Sequence, residues 1–63
     1  MKLTKSNKQK IINSLNNFAI ETIIDYYIEE IENSEFTNKD IANLSKNEII
    51  DDFIEYIKNT NID

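Results

Sequence analysis

The chain contains no cysteine, histidine, glycine, proline or tryptophan among its 63 residues. Without cysteine and histidine it forms neither a disulfide nor the zinc site that stabilises many small domains. The same absence excludes serine–histidine and cysteine–histidine pairs for nucleophilic catalysis. Without glycine, an EF-hand loop and a glycine-rich phosphate cradle are also excluded. We therefore expect no enzymatic activity, no cofactor and no metal.

Long apolar runs are missing as well. The longest run is three residues, whereas a membrane-spanning helix needs about 18 or more, and the first residues lack the apolar region of a signal peptide. Isoleucine, asparagine and lysine are abundant, and their A/T-rich codons are typical of low-GC bacteria and their phages. We expect a soluble protein in the cytoplasm of a bacterial host cell, with no membrane association.

The small size limits how the fold is stabilised. We expect residues 1–63 to form a single domain, and a core of this size is marginal on its own. Small domains compensate with disulfides, a structural metal or association. Since the first two are excluded here, we expect a homodimer or a stable complex with another protein.

The pattern of apolar residues predicts an all-α fold, a compact bundle of three or four helices at about 7–16, 18–33, 38–44 and 46–59. Thr37 with Asp40, and Ser45 with Glu48, are typical helix-starting pairs. The apolar stripe changes side near Ile20 by roughly 150°. The chain therefore either turns at Asn16-Asn17 or continues as one long helix over 7–33.

The densest apolar stretch runs from Phe18 to Asn33, and we expect the rest of the chain to be organised around it. Its apolar face is wider than a surface helix usually shows, which favours covering by a second chain. The expected oligomer interface consists of Ile20, Ile24, Tyr27, Ile28 and Ile31. Residues 1–6 are expected to be a basic flexible leader, and residues 60–63 a tail.

Acidic residues predominate, with twelve carboxylates against seven lysines and a net charge of −5. At helical spacing they form two rows. The first acidic row is Glu21, Asp25, Glu29 and Glu32, and the second acidic row is Glu48, Asp51, Asp52 and Glu55. Together with Tyr26 and Tyr56 these residues are the candidate partner-binding set. The alternatives are that the rows only keep the protein soluble and that the tyrosines are half-buried edges of the core.

Direct nucleic-acid binding has two weaker indications. Residues 1–10 hold four of the seven lysines and no acid, as in a basic arm, although a solvated leader has the same composition. The segment 36–54 resembles the first half of a helix-turn-helix motif, with T-N-K-D-I-A followed by a serine. Its turn is about two residues shorter than usual, however, and its second helix would present acids that phosphates repel.

These observations favour a small acidic protein that binds stoichiometrically to a larger basic, nucleic-acid-handling protein. The most concrete form is a phage or mobile-element inhibitor of a host enzyme or defence system, of the anti-CRISPR or anti-restriction type, with nucleic-acid mimicry by the acidic rows. The alternatives are a dimeric DNA-binding regulator or antitoxin that uses the lysine-rich start, and a structural helical assembly protein.

Overall fold

The computed structural model of the chain describes residues 1–59, and this part is all-helical. It contains four helices: α1 (Lys5–Leu15), α2 (Glu21–Glu32), α3 (Asn38–Asn43) and α4 (Lys46–Asn59). The predicted bundle is therefore confirmed, and the bounds of α4 agree with those predicted. The expected tail over 60–63 lies outside the described residues.

Helices α1, α3 and α4 begin where a side chain accepts a hydrogen bond from one of the first backbone N–H groups, whereas α2 has no side-chain cap. Thr37 caps α3 in a reciprocal capping box with Asp40. At α4, the Ser45 N–H donates to Glu48 Oε1 at 2.9 Å and the Glu48 N–H donates to Ser45 Oγ at 3.1 Å. Both starts are as the sequence predicted. Helix α1 differs, because it starts at Lys5 with Thr4 as its cap, two residues before the predicted start at about residue 7.

The chain turns between α1 and α2, so the single long helix over 7–33 does not form. The helical hydrogen bonds end as the N–H groups of Phe18 and Ala19 both donate to the carbonyl of Leu15. Ile20 is then extended, with ψ at 157°, and α2 starts at the next residue. A left-handed asparagine was the expected means of turning, but no residue within 1–59 has a positive φ.

The central element is α1, whose backbone approaches each of the other three helices. Its Ile11 and Leu15 are fully buried. The prediction that the 18–33 stretch organises the chain is wrong in this respect. Helix α2 contributes more buried apolar side chains to the core, but α1 is the element that the other three helices share as a neighbour.

The first residues are packed onto the bundle, contrary to the expected flexible leader over 1–6. The Leu3 side chain is buried, and its N–H donates to Glu32 Oε2 at 2.9 Å. The Thr4 N–H donates to Asn38 Oδ1, and the buried Asn7 amide donates to the backbone and side-chain oxygens of Asn38. These bonds fix the start of α1 against α3.

Four of the five residues expected at an oligomer interface belong to the core of the single chain. Ile24, Tyr27, Ile28 and Ile31 are buried by α1, α4 and the loops, whereas Ile20 is 67% exposed. That assignment is therefore wrong for the four buried residues. A helix with half its surface apolar needs covering, and here the same chain supplies the cover.

Replacement of Ile11 by alanine tests the central role of α1. We expect Ile11→Ala to lower the free energy of unfolding by about 2–5 kcal/mol, because it leaves a cavity in the core. The matched control is Ile20→Ala, which removes the same atoms from an exposed position and should change stability by less than about 0.5 kcal/mol. Urea unfolding followed by circular dichroism measures both. Equal losses in the two variants would contradict the assignment.

Candidate functional site

An open groove of about 410 Å³ lies between the C-terminal halves of α2 and α4. We call it the acidic groove, because three carboxylates line it: Glu30 from α2, and Asp52 and Glu55 from α4. Tyr27 and Tyr56 are its aromatic lining, and Phe36 and Asn59 are at its border. No lysine is among the described residues that line it. Its lining therefore carries charge of one sign.

A buried tyrosine holds one of the three carboxylates in place. The Tyr27 hydroxyl donates a 2.6 Å hydrogen bond to Asp52 Oδ2, and Tyr27 is otherwise enclosed by the core. Burial raises the pKa of the Tyr27 hydroxyl, and the bond to Asp52 and its negative charge raise that pKa further. Asp52 is half-buried, and the Tyr27 hydroxyl of α2 holds its carboxylate in place. The sequence pattern had placed Asp52 in an acidic row on the outer face of its helix.

The aromatic lining is built from the same tyrosine. The ring of Tyr27 packs edge-on against Phe53 at a centroid distance of 5.2 Å and contacts Tyr56 at 5.5 Å. Such edge-to-face contacts add to the free energy of burial. Tyr56 is half-buried and contributes both to the core and to the groove. The expectation that Tyr56 is a half-buried edge of the core is therefore confirmed, and the same side chain lines the groove.

The first acidic row faces a different part of the surface. Asp25, Glu29 and Glu32 border a shallow depression together with Lys8 of α1, so a basic side chain accompanies the carboxylates there. Glu32 is also half-buried and accepts the hydrogen bond from the Leu3 N–H. The row remains aligned along α2, but part of its charge has a structural role.

The second acidic row divides between two roles. Glu48 belongs to the start of α4, where the Ser45 backbone N–H, then the Ser45 hydroxyl and the nearby Lys10, lower the pKa of its carboxyl. Asp51 is exposed and lies outside the acidic groove. Asp52 and Glu55 line it, and Glu55 Oε1 accepts a 3.3 Å hydrogen bond from the Asn59 amide.

Sequence reasoning missed Glu30, Tyr27 and Phe36 as groove residues. Glu30 lies between Glu29 and Glu32 in the sequence but was not assigned to the first acidic row, and its proximity to α4 depends on how the helices pack. Tyr26, which was selected, is 61% exposed. It precedes Glu30 by one helical turn and therefore lies beside the groove rather than within it.

Within residues 1–59, no group of three or more acidic side chains is placed to hold a metal ion. No helix in the same range is long and apolar enough to cross a membrane. Comparison with known proteins gives no match to a family model, to a curated protein or to a solved structure. The class that the fold defines is a small all-α domain.

The bond between Tyr27 and Asp52 predicts a pH dependence of stability. At pH 8, Tyr27→Phe should lower the free energy of unfolding by about 1–2 kcal/mol, since a half-buried carboxylate loses its donor. The unfolded chain ionises its tyrosines near pH 10, whereas the fold keeps Tyr27 neutral to higher pH. The stability due to the raised pKa is therefore complete below about pH 10 and is lost above it.

At pH 11 the difference between the natural chain and Tyr27→Phe should thus narrow by about 1 kcal/mol, because phenylalanine does not ionise. Urea unfolding at pH 8 and pH 11 measures this change. Tyr26→Phe is the matched control at an exposed tyrosine and should stay within about 0.5 kcal/mol of the natural chain. A difference for Tyr27→Phe that is the same at both pH values would contradict the assignment.

Proposed function

We propose that the chain is a protein-binding module that acts stoichiometrically and receives a basic segment of a larger protein in its acidic groove. The observation that carries this proposal is the convergence of Glu30, Asp52 and Glu55 from two helices beside the ring of Tyr56. A lysine or arginine side chain forms charge-assisted hydrogen bonds with carboxylates. It is also attracted to the face of an aromatic ring. The acidic groove contains both the carboxylates and an aromatic ring.

The fold supports this reading over that of a surface that only provides solubility. The Asp52 side chain does not rotate freely, because its Oδ2 accepts a 2.6 Å hydrogen bond from the hydroxyl of the buried Tyr27. A carboxylate held in advance loses less conformational entropy on binding than a freely rotating one. The net charge of −5 would in addition steer a basic partner toward the chain and speed association.

In its concrete form, we propose that the partner is a host nucleic-acid-handling protein or defence system. Such proteins present basic grooves to phosphate backbones, and an acidic protein of this size would compete for such a groove as a nucleic-acid mimic. The A/T-rich codon usage supports a phage or mobile-element origin in a bacterial cytoplasm. An inhibitor of the anti-CRISPR or anti-restriction type would have this combination of size, charge and lack of catalytic residues.

The alternative of a DNA-binding regulator has less support. Of the lysines near the N-terminus, Lys10 donates hydrogen bonds of 3.0 and 2.9 Å to the carbonyls of Ile41 and Ala42. Its charge therefore compensates the C-terminal end of α3. The helix that comes after α3 carries Glu48 and Asp51 on its exposed surface, which would repel phosphates.

A labelled eight-residue peptide of lysine and arginine is a direct probe of the acidic groove. We expect salt-sensitive binding that weakens about tenfold when Glu30 and Glu55 are both replaced by glutamine, since two charge-assisted contacts are lost. Fluorescence anisotropy at low salt measures the dissociation constants.

The matched control is the double variant Glu21→Gln with Glu29→Gln, which removes the same charge from exposed positions in the first acidic row. Its binding should weaken by less than about twofold, the effect of distant surface charge alone. If both double variants weaken binding equally, the probe responds to net charge and the acidic groove is not a site.

Duplex DNA distinguishes the proposal from the regulator. In a mobility-shift assay at low salt we expect no binding by the natural chain. Salt-sensitive binding that disappears when Lys2, Lys5 and Lys8 are replaced by glutamine would instead support a basic arm. Lys10 is kept in this test because its replacement would also remove hydrogen bonds to α3.

A further inference from the structure

A second groove, of about 360 Å³, is separate from the acidic one and lies between the start of α2 and the outer side of α4. We call it the apolar groove. Its apolar lining includes Phe18, Ile23, Ile50, Ile54 and Ile57, and Lys58 is at its rim. Phe18 is 61% exposed and Ile54 is 45% exposed. Large apolar side chains that adjoin one another at the surface of a small protein indicate a contact site.

The apolar side chains of α4 in this groove have the spacing of a helix-pairing seam. Ile50, Ile54 and Ile57 succeed one another at intervals of four and three residues, which is the alternation found where two helices pack side by side. Ile54 is exposed and Ile50 and Ile57 are half-buried at the edge of the core, whereas Ile49 and Phe53 are buried in it. Helix α4 thus packs one apolar face against its own chain and presents part of a second apolar face to the apolar groove.

The charges beside this seam complement a second copy in antiparallel orientation. Asp51 and Lys58 are seven residues apart, so they lie within about 20° of each other around the helix axis. Both are exposed. A two-fold axis near Ile54 places the residues after Ile54 in one copy opposite the residues before Ile54 in the other. Lys58 is four residues after Ile54 and Asp51 is three residues before it, so their heights differ by about 1.5 Å.

We propose that the apolar groove is covered by a second copy of this chain, through antiparallel pairing of the two α4 helices centred on Ile54. Each copy then places Lys58 beside Asp51 of the other copy. This arrangement gives one pair of opposite charges at each end of the seam. Parallel pairing does not do so, because it places Asp51 at the height of the other Asp51 and Lys58 at the height of the other Lys58. Phe18 and Ile23 extend the contact beyond the helix seam.

The proposed dimer agrees with the size of the chain. Helix α4 has 14 residues, and pairing centred on Ile54 overlaps residues 49–59 of the two copies, a seam of about 15 Å. The flanking Phe18 and Ile23 widen the contact beyond this seam. Dimerisation also supplies the additional apolar burial that a small core without disulfide or metal needs. In this dimer the acidic groove of each copy stays exposed, because it is lined by other residues of α4 than the apolar groove. The proposed dimer therefore does not depend on the proposed function.

Sedimentation equilibrium tests the dimer. We expect a concentration-dependent dimer for the natural chain and a dissociation constant at least about 100-fold larger for Ile54→Asp, which places two carboxylates at the two-fold axis. Tyr26→Asp is the matched control, because it adds the same charge in place of an exposed large side chain on α2 and should leave the dimer unchanged. Circular dichroism verifies that each variant is folded.

Charge exchange tests the antiparallel arrangement. Asp51→Lys and Lys58→Asp should each weaken the dimer by about tenfold at low salt, because two attractive pairs become repulsive. The double variant Asp51→Lys with Lys58→Asp retains the net charge of the natural chain and should restore its dissociation constant to within about threefold. Recovery of this kind is specific to a partner that carries the same two residues.

Three results would overturn the proposal: a monomer at all concentrations up to about 1 mM, a dimer that Ile54→Asp does not weaken, or failure of the double charge exchange to restore a dimer that the single changes weaken. The first would leave the apolar groove to a different protein. Because Asp51, Ile54 and Lys58 do not line the acidic groove, these results are independent of the peptide-binding test.

Discussion

Burial of α1 is the constraint on which the rest of the structure depends. Ile11 and Leu15 have no exposed surface, and the backbone of α1 approaches α2, α3 and α4. The chain has no cysteine and therefore no disulfide to close such a small core, so apolar contact with this one helix stabilises it. The buried Asn7 and the capping Lys10 then attach α3 to α1 by hydrogen bonds. Helices α2 and α4 are left with surfaces that α1 does not cover.

The two grooves arise from those uncovered surfaces. Toward their C-terminal ends, α2 and α4 are joined by Tyr27, which reaches from one helix to Asp52 on the other and packs its ring on Phe53. The acidic groove lies above this contact. On the other side of α4, Phe18 and Ile23 stand apart from Ile54 and leave an apolar groove. One helix thus separates a charged surface from an apolar one, and the two proposals use them independently.

Local sequence chemistry was enough to predict where α3 and α4 begin. Thr37 with Asp40 and Ser45 with Glu48 form the expected hydrogen bonds, because a cap involves residues only three apart. The turn near Asn16-Asn17 was also indicated by the change of side of the apolar stripe. The outward position of Glu21, Asp25 and Glu29 follows from helical spacing in the same way.

The packing partners were decided by the tertiary structure. The sequence by itself determined an acidic all-α chain of three or four helices without cysteine or histidine, since composition and periodicity are properties of neighbouring residues. It did not determine that Leu3 would be buried, that Ile24 and Tyr27 would face their own chain, or that Glu30 and Asp52 would share a groove. Those relations join residues some 20 to 30 positions apart. They depend on how α1, α2 and α4 pack against one another, which helical periodicity does not specify.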